Sequence, residues 1–392
     1  MTAKASAVIV GAALAGHATA KALRQQGFEG VIRIIGAETE RPYDRPPLSK
    51  EYLAGTATEA DLSLETAGET IDADWILGAE AIALDPATTT VSLASGDKVS
   101  GAAVFIATGS RARRMATELS GVHSLRTLSD ARSLKAELQS GARLVVIGAG
   151  FIGAEVASTA KGLGLDVTVL EAAPAPLLRQ LGIEVGAAVA GLHSRNGVNL
   201  LVGDPVVALK GTDRVHAVEL ASGRVLPADV VVAGIGADAE TGWLVSSGLS
   251  VGNGVLCDAQ GATSAPGVFA VGDCSAWFDA TLGRAHRVEH WTDSQQRPAL
   301  AVKGWLSGAN PAEPATLKAP YFWSDQYGVT IQFAGHRLDT DELVIEDGEL
   351  GSDNMLATWR REGRIVAVLG LNQPRAFTKH RKALQAVFSQ PR

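Results

Sequence analysis

The fold of this chain is decided by the stretch LVVIGAGFIGAEVASTAKGLGLDVTVLE, residues 144–171. It opens with an apolar run, turns at the closely spaced glycines Gly148, Gly150 and Gly153, and continues through small residues. It then ends in a second apolar run that is closed by Glu171. This order predicts a strand, a tight turn, a helix and a second, parallel strand, which is the unit that binds half of a dinucleotide.

The same plan occurs earlier in the chain, in AVIVGAALAGHATAKALRQQGFEGVIRIIGAE, residues 7–38. Three glycines of each copy correspond at a constant offset, Gly11, Gly16 and Gly27 with Gly148, Gly153 and Gly164. One such motif alone is weak evidence of a dinucleotide site, but two in register, each closed by a glutamate, are much stronger. The sequence therefore predicts two dinucleotide sites.

Each residue type in the motif has a physical role. The first glycine makes the tight turn, the second lets a pyrophosphate approach the backbone, and the third lets the helix pack on the strand. The phosphate lies at the helix N-terminus, and the closing acid, Glu38 or Glu171, accepts hydrogen bonds from ribose hydroxyls. Ala13 replaces the middle glycine of the first copy, so its methyl group is expected to crowd the phosphate. The residues expected at the two phosphate sites are Gly11, Ala13, Leu14, Ala15 and Gly16 in the first copy, and Gly148, Gly150, Phe151, Ile152 and Gly153 in the second.

Later segments indicate how the units are arranged. The strand-like runs VFIATGS (104–110), VVVAGIGA (230–237) and TSAPGVFAVGD (263–273) return the chain to the carboxyl ends of the two sheets. After the Pro-rich linker at 308–320 the pattern alternates like antiparallel strands and closes with a helix. We therefore predict an α/β chain with two Rossmann-like domains, the second inserted in the first, and a C-terminal α+β domain. The expected bounds are 1–112 with 238–316 for the first domain, 113–237 for the second and 317–392 for the third.

Composition excludes several classes of protein. The net charge of −7 argues against non-specific nucleic-acid binding, and no run reaches the roughly 18 apolar residues of a membrane span. The only cysteines, Cys257 and Cys274, form no CxxC pair, which excludes a disulfide framework and favours a reducing cytoplasm. The N-terminal run could be a signal peptide, but its continuation into the first glycine unit favours a soluble, cytoplasmic protein. No metal site is predicted.

The segment RPYDRPPLSK, residues 41–50, follows the first unit and is stiff, cationic and free of cysteine. Together with ATGS, LRTLSDA, GAGFIGAE, FAVGD, VEHW and YFWSDQYG, it stands in the order typical of FAD-dependent ferredoxin reductases. The chain resembles this family, which serves bacterial dioxygenase and cytochrome P450 systems, over essentially its whole length. In related glutathione-reductase-like enzymes the segment after the first unit carries redox cysteines. Here electrons must instead leave from the flavin itself.

The resemblance implies roles for individual residues. Lys50 is expected beside flavin N5, Glu155 is expected to pair with Lys50, and Trp323 is expected to cover the flavin ring; these three are the expected catalytic residues. Ala81 replaces the valine that the family usually has beside the adenine. The expected FAD contacts, besides Glu38, Lys50 and those of the first glycine motif, are Arg45, Ala81, Ala107, Thr108, Gly109, Arg126, Gly272, Asp273, Glu289, His290 and Trp291. The expected NAD contacts outside the second motif are Glu155, Glu171 and Gly236. The plain alternatives are a surface lysine at 50, a helix-capping acid at 155 and core tryptophans at 291 and 323.

The expected coenzyme is NADH, because Glu171 would repel the 2′-phosphate of NADPH. The expected partner is an acidic [2Fe–2S] ferredoxin that docks on a local basic patch near the flavin. The candidate clusters, each of which could also be an ordinary solvated face, are Arg111, Arg113 and Arg114; Arg284 and Arg287; and Arg360, Arg361, Lys379, Arg381 and Lys382. The chain is expected to be a monomer or a weak homodimer. Two alternatives stay open: a rubredoxin reductase or other NADH oxidoreductase of the same scaffold, and an NADH-responsive interaction protein like apoptosis-inducing factor.

Overall fold

The computed structural model describes residues 5–65, 68, 71–280, 282–308 and 318–388. Within these residues the chain forms two parallel five-stranded sheets, one antiparallel five-stranded sheet and four smaller sheets. The predicted fold class is confirmed: two Rossmann-like α/β units are followed by a C-terminal α+β unit. None of the helices formed by the described residues is long and apolar enough to span a membrane.

The segment up to residue 112 contains the first glycine motif, at the turn between its first strand and first helix. Residues 7–10 of that strand are buried on both faces, as is usual for a strand inside a parallel sheet. The elements are β1 (Ser6–Val10), α1 (Leu14–Gln25), β2 (Val31–Gly36), α2 (Glu51–Ala54), β3 (Asp74–Leu77), β4 (Ala81–Asp85), β5 (Thr90–Leu93), β6 (Lys98–Ser100), β7 (Ala103–Ile106) and β8 (Ser110–Ala112).

The next segment, to residue 239, repeats this arrangement and extends it. In chain order, an antiparallel ribbon of three strands, formed by residues 206–227, comes after the fourth strand of the parallel sheet and before the fifth. The elements are β9 (Val122–His123), α3 (Leu128–Glu137), β10 (Arg143–Ile147), α4 (Phe151–Gly162), β11 (Asp166–Glu171), α5 (Leu178–Arg195), β12 (Asn199–Val202), β13 (Val206–Gly211), β14 (Val215–Leu220), β15 (Val225–Pro227), β16 (Val230–Ala233) and β17 (Ala237–Ala239).

The chain then returns to the first parallel sheet and ends in the antiparallel one. The returning segment has β18 (Val251–Gly252), β19 (Gly254–Cys257), β20 (Val268–Ala270), β21 (Ser275–Asp279), β22 (Arg284–Arg287) and α6 (Trp291–Leu306). The C-terminal unit has β23 (Tyr321–Gln326), β24 (Val329–Gly335), β25 (Glu342–Gly348), β26 (Met355–Arg361), β27 (Arg364–Leu371) and α7 (Pro374–Phe388). Most of the predicted linker, 308–320, lies outside the described residues.

The two parallel sheets have equivalent strand orders. The first reads β3-β2-β1-β7-β20 and the second reads β12-β11-β10-β16-β9, so the glycine motif follows the central strand in both. β8 pairs with β17 in an antiparallel ladder, and the predicted chain crossings after residues 112 and 237 fall within or beside this ladder. The internal repeat seen in the sequence is thus a repeat of topology as well.

The first glycine of each motif is required by the backbone. Gly11 has φ +118°, and a Cβ there would lie 2.1 Å from the carbonyl oxygen of Ala107. Gly148 has φ +101°, and its Cβ would lie 2.3 Å from the carbonyl oxygen of Gly234. Both turns therefore bring the start of a helix against the end of a neighbouring strand, β7 or β16, in a way that only glycine permits.

Candidate active site

A cavity of about 430 Å³, here named the central cavity, is lined by residues of both Rossmann-like units and of the C-terminal sheet. Its wall contains the starts of α1 and α4, the carboxyl ends of β7 and β16, and the segment that precedes α2. The predicted site residues that line it are Ala13, Leu14, Ala15, Arg45, Lys50, Ala107, Thr108, Gly109, Arg126, Gly150, Phe151, Ile152, Glu155, Gly236, Asp273, Glu289, His290, Trp291 and Trp323.

The other predicted site residues lie outside this lining: Gly11, Gly16, Glu38, Ala81, Gly148, Gly153, Glu171 and Gly272. The glycines among them are packed against backbone or a small side chain. A Cβ on Gly272, for example, would lie 2.7 Å from that of Ala15. Ala81 begins β4 in a separate three-stranded sheet and packs against the core of the first unit.

Two helices begin at the wall of the central cavity without a side-chain cap. The N-cap residue of α1 is Ala13 and that of α4 is Gly150, and neither first turn contains an acid. A Cβ added to Gly150 would meet no atom within 4 Å, so the space in front of α4 is open. Uncapped helix N-termini leave N–H groups free for an anion and carry partial positive charge.

Lys50 is brought to the central cavity by the proline-rich segment. Pro46 and Pro47 fix the backbone at the start of a 3-10 turn over Pro46–Ser49, in which Leu48 and Ser49 are buried. The Lys50 Nζ donates to the Pro46 carbonyl oxygen at 2.7 Å, which closes the turn.

The Lys50 ammonium also faces a buried acid on α4. Its Nζ lies 3.5 Å from Oε2 of Glu155, and the two side chains are only 14% and 5% exposed. Glu155 accepts two further hydrogen bonds, from the hydroxyl of Ser49 at 2.5 Å and from that of Ser324 at 2.8 Å. A buried carboxylate needs such partners. Glu155 belongs to the second Rossmann-like unit, Ser49 to the first and Ser324 to the C-terminal unit, so all three units of the chain meet at this acid.

Aromatic side chains form one side of the central cavity. The indole rings of Trp291 and Trp323 meet edge to face at 5.9 Å, and the rings of Phe151 and Phe322 lie 4.3 Å apart. The Trp291 indole N–H donates to Asp44 at 2.7 Å. Burial raises the pKa of the Asp44 carboxyl above its usual range, although this hydrogen bond opposes the effect. The orientation of Trp291 is therefore fixed by an acid 247 residues away in the chain.

The arginines expected at the site are tied to acids. Arg126 Nη2 donates to Asp273 at 2.8 Å, and Arg45 Nη2 donates to Glu38 at 2.7 Å. Glu38 also accepts from the hydroxyl of Tyr43 at 2.5 Å. These pairs hold both guanidinium groups in the wall of the cavity.

Glu171 ends β11 and is held by backbone donors. Its two carboxylate oxygens accept from the N–H groups of Ala149, at 3.0 Å, and Ala173, at 2.9 Å. The carboxylate thus lies against the turn that follows β10, next to the second glycine motif.

The two cysteines do not face the central cavity. Cys257 and Cys274 are buried free thiols, and neither lines the central cavity. Burial raises the pKa of each thiol above its usual value, which disfavours the reactive thiolate.

Sequence reasoning missed several residues of the lining. Asp44 and Ser49 lie inside the segment RPYDRPPLSK, and Phe322 directly precedes Trp323, so their neighbours in the chain were a usable signal. Val232 and Ser294 also line the cavity, but an apolar strand residue and a helix serine carry no signal of that kind.

Six residues of the candidate basic clusters form ion pairs with acids of the same chain. The pairs are Arg111 with Glu240, Arg113 with Asp238, Arg114 with Asp130, Arg287 with Glu289, Arg360 with Glu346 and Arg361 with Asp341. By contrast, α7 contains no acidic residue. Among the residues that the structure describes, its Arg375, Lys379 and Lys382 have no ion-pair partner, and all three are exposed.

Comparison with known proteins shows which family the chain belongs to. Residues 5–305 match the family described as pyridine nucleotide-disulphide oxidoreductase, and residues 321–391 match the one described as reductase C-terminal. The chain belongs to the pyridine nucleotide-disulphide oxidoreductases. Within that family its similarities lie with the ferredoxin reductases, so the resemblance predicted from the sequence motifs is confirmed.

Three relatives of this oxidoreductase cover nearly all of it. The ferredoxin reductase component of chlorobenzene dioxygenase from Cupriavidus sp. is 39% identical and spans 96% of this chain and 92% of its own. The rubredoxin-NAD(+) reductase of Pseudomonas putida is 33% identical and spans 94% of this chain and 96% of its own. Among solved structures, the covalent putidaredoxin reductase–putidaredoxin complex has a TM-score of 0.93 and 32% identity, and the match covers 100% of this chain and 94% of that one.

The residues of this oxidoreductase fit FAD and NADH, the cofactors that its family implies. Two uncapped helix N-termini face the central cavity, and Gly150 leaves the space that a pyrophosphate requires. Arg45 and Arg126 place guanidinium N–H donors in the same wall. The aromatic side supplies flat apolar surface for ring systems, and Glu171 stands at the end of β11, where a ribose acceptor is expected.

Proposed function

We propose that this protein transfers electrons from NADH, through bound FAD, to a small iron–sulfur protein. The proposal depends chiefly on one observation: the Lys50 ammonium lies 3.5 Å from the buried Glu155 carboxylate in a cavity that two glycine-motif helices also line, and no cysteine stands in the described lining. A site without a thiol has no dithiol relay to pass electrons on. The acceptor must therefore take them from the cofactor.

FAD, when bound, accepts a hydride from NADH and gives up electrons one at a time, which is the chemistry needed between a two-electron donor and a one-electron acceptor. The protein supplies position and charge. The Lys50 ammonium favours negative charge in the central cavity, and Glu155 holds that ammonium in place. Trp291 and Trp323 form an apolar wall on one side.

The relatives support a ferredoxin as the acceptor. Their printed names describe ferredoxin reductase components of dioxygenase systems, and one solved neighbour is a reductase joined to putidaredoxin. We carry this partner class over to the present chain. The rubredoxin-NAD(+) reductase among the relatives makes rubredoxin the second acceptor to test.

The docking surface we propose is the exposed face of α7. Arg375, Lys379 and Lys382 follow one another at spacings of four and three residues, so they lie on one face of the helix. That face is cationic and lacks acids of its own, which suits an acidic ferredoxin. The other candidate clusters carry internal ion pairs that reduce their attraction for a partner.

Aromatic contacts join this surface to the central cavity. The guanidinium of Arg381 on α7 lies 3.9 Å from the centroid of the Tyr321 ring. Tyr321 stacks on Trp323 with ring centroids 6.0 Å apart, and Trp323 lines the cavity. A ferredoxin on the exposed face of α7 would thus be separated from the cofactor site by the helix itself and by two aromatic side chains.

The function is tested with purified protein, NADH and a [2Fe–2S] ferredoxin, with cytochrome c as the final reporter. Fast reduction that requires the ferredoxin is the expected result. A strong preference for rubredoxin would identify the second candidate acceptor. Slow turnover with every iron–sulfur acceptor, combined with NADH-driven dimerisation, would refute the reductase and favour the redox-responsive interaction protein.

The docking surface is tested by the single variants Lys379→Glu and Lys382→Glu, with Lys98→Glu as a control of equal charge. Lys98 is exposed on β6, which does not line the central cavity. Each α7 variant should raise the KM for ferredoxin roughly two- to fivefold at low salt, because exposed ion pairs contribute about 0.5–1 kcal/mol. The NADH–ferricyanide rate should not change. An equal effect of Lys98→Glu would mean that net charge, and not α7, attracts the partner.

A further inference from the structure

A second cavity, of about 470 Å³, has one lining residue in common with the central cavity, and that residue is Lys50. Three parts of the chain form its wall: the α2 segment, the end of α4 and the turn between β23 and β24. No motif in the sequence predicts this cavity, and the function proposed above does not use it.

The second cavity is open to solvent and suited to water. Ala54, Gly162 and Gly328 line it and are exposed. Thr159 and Asp325 place a hydroxyl and a carboxylate in the same lining, and buried or partly buried water requires such polar partners. Water in this cavity can therefore reach the neighbourhood of Lys50 without passing through the central cavity.

Lys50 lines both spaces. An ammonium has three N–H donors, and its contacts with described residues use two, to the Pro46 carbonyl oxygen at 2.7 Å and to Glu155 at 3.5 Å. The third donor is left for water. Glu155 itself is only 4% exposed and lines the central cavity alone, and its ion pair with Lys50 is a direct contact with a residue of the second cavity.

The proposed function, on which this inference rests, produces a proton inside the protein. Oxidation of one NADH by two one-electron acceptors yields NAD⁺, two reduced acceptors and one proton. The electrons leave with the acceptors, whereas the proton is left near the cofactor and must reach solvent in each turnover. A filled central cavity offers little room for water to carry it.

We propose that the second cavity is the exit for this proton and that the Lys50–Glu155 pair passes it on. The Glu155 carboxylate takes up the proton from the central cavity, and the Lys50 ammonium releases one of its own to water in the second cavity. The Glu155 carboxylic acid then returns a proton to the Lys50 amine. One proton enters the pair, one leaves it, and both groups recover their charges.

The access route is tested by chemical labelling of Lys50. Protein with FAD and NAD⁺ bound is treated briefly with acetic anhydride, and acetylation of Lys50 is measured by peptide mass spectrometry against exposed Lys98 in the same sample. The variants Gly162→Phe and Ala54→Phe place a ring in the second cavity from two opposite segments. A Cβ on Gly162 meets no atom within 4 Å, so the substitution is expected to fold. The matched control is Gly242→Phe, at an exposed residue of a 3-10 helix that lines neither cavity and whose Cβ is equally unobstructed.

Labelling of Lys50 should fall several-fold relative to Lys98 in both filled variants and should not change in the control. The proton itself is followed by mixing NADH-reduced protein with ferricyanide in weak buffer that contains a pH indicator. In the filled variants, proton release should lag behind ferricyanide reduction and show a larger solvent deuterium effect, while reduction by NADH keeps its rate.

Two results would overturn the proposal: labelling of Lys50 that the filled variants do not slow, or proton release that keeps pace with ferricyanide reduction in them. Neither measurement uses ferredoxin. Failure of the wild-type protein to reduce ferredoxin would therefore refute the proposed function alone and would leave the exit to be decided by labelling and proton release.

Discussion

Replacing Lys50 by methionine removes the ammonium from a nearly buried ion pair while keeping a side chain of similar length. At 3.5 Å and an effective dielectric constant of about 20, the attraction between Lys50 and Glu155 is about 5 kcal/mol. Breaking a buried pair by deleting one partner costs about 3–5 kcal/mol. Glu155 keeps the two serine donors at 2.5 and 2.8 Å, so we expect the lower end, about 3 kcal/mol. For a chain of 392 residues this corresponds to a fall in Tm of ~4 °C.

The flavin of the Lys50→Met variant should also be harder to reduce. Loss of one positive charge beside a site that becomes electron-rich costs on the order of 1–4 kcal/mol, which lowers the two-electron potential of the flavin by about 20–90 mV. Stopped-flow reduction by NADH should slow, while NADH affinity should change less, because the residues expected to hold its ribose and pyrophosphate lie elsewhere. Potential, reduction rate and Tm are measured on Lys50→Met and on the control Lys98→Met, an exposed lysine outside both cavities.

A double-mutant cycle separates the coupling energy between Lys50 and Glu155 from the individual contributions of the two residues. Lys50→Met with Glu155→Gln should cost less than the two single effects summed, because each single variant leaves the other charge without its partner. Additive losses in Tm would mean that the 3.5 Å contact carries no coupling energy. An unchanged potential and reduction rate in Lys50→Met would show that RPYDRPPLSK is only a structural turn.

Three further predictions concern the coenzyme, the thiols and the response to acid. Glu171→Ala should narrow the preference for NADH over NADPH, since the repulsion of a 2′-phosphate is removed; equal kcat/KM values for the two coenzymes in the wild type would refute this assignment. Replacing both Cys257 and Cys274 by alanine should leave ferredoxin reduction nearly intact, and complete loss with FAD still bound would reveal a thiol relay. Burial lowers the pKa of His193 to about 4. The unfolded chain, with a histidine pKa of about 6.5, therefore binds a proton more tightly than the folded chain does. The free energy of unfolding should fall by about 3 kcal/mol as the pH falls from about 6.5 towards 4. His193→Gln should make the fall in Tm between pH 7 and 4.5 less steep, and an unchanged slope would refute the assignment.

The features that could be predicted from the sequence are those encoded by residues that are contiguous in the chain. The glycine motifs fix two strand–turn–helix units, because Gly11 and Gly148 have backbone conformations and close contacts that other residues cannot adopt. Parallel strands then bring their carboxyl ends to one edge, so the segments at 104–110 and 230–237 could be assigned to the site from their order alone. The closeness of Lys50 to Glu155 came from the family resemblance, since 105 residues separate them.

What the sequence did not predict depends on contacts between distant segments. Asp44 and Trp291 are hydrogen-bonded across 247 residues, and Ser324 reaches Glu155 across 169. No periodicity or spacing encodes such pairs. The pairing of basic residues could not be predicted for the same reason: Arg113 and Arg360 look cationic in the sequence, but folding supplies each with an acid from another strand. In α7, which has no acid within it, Arg375, Lys379 and Lys382 form no ion pair with the described residues and keep the charge that the sequence shows.

The position of Lys50 between two cavities allows its two proposed roles to be separated. Lys50→Met removes both the positive charge and the proton path, so it should change the flavin potential and the release of the proton together. Gly162→Phe leaves the charge in place and blocks only the second cavity, so it should delay the proton without changing the potential. If the two variants shifted the potential equally, the second cavity would act on the flavin through the solvation of Lys50, and the two roles could not be separated by these variants. Delayed proton release at an unchanged flavin potential in Gly162→Phe would show that the proton path through Lys50 and the positive charge of Lys50 are separate properties of this side chain.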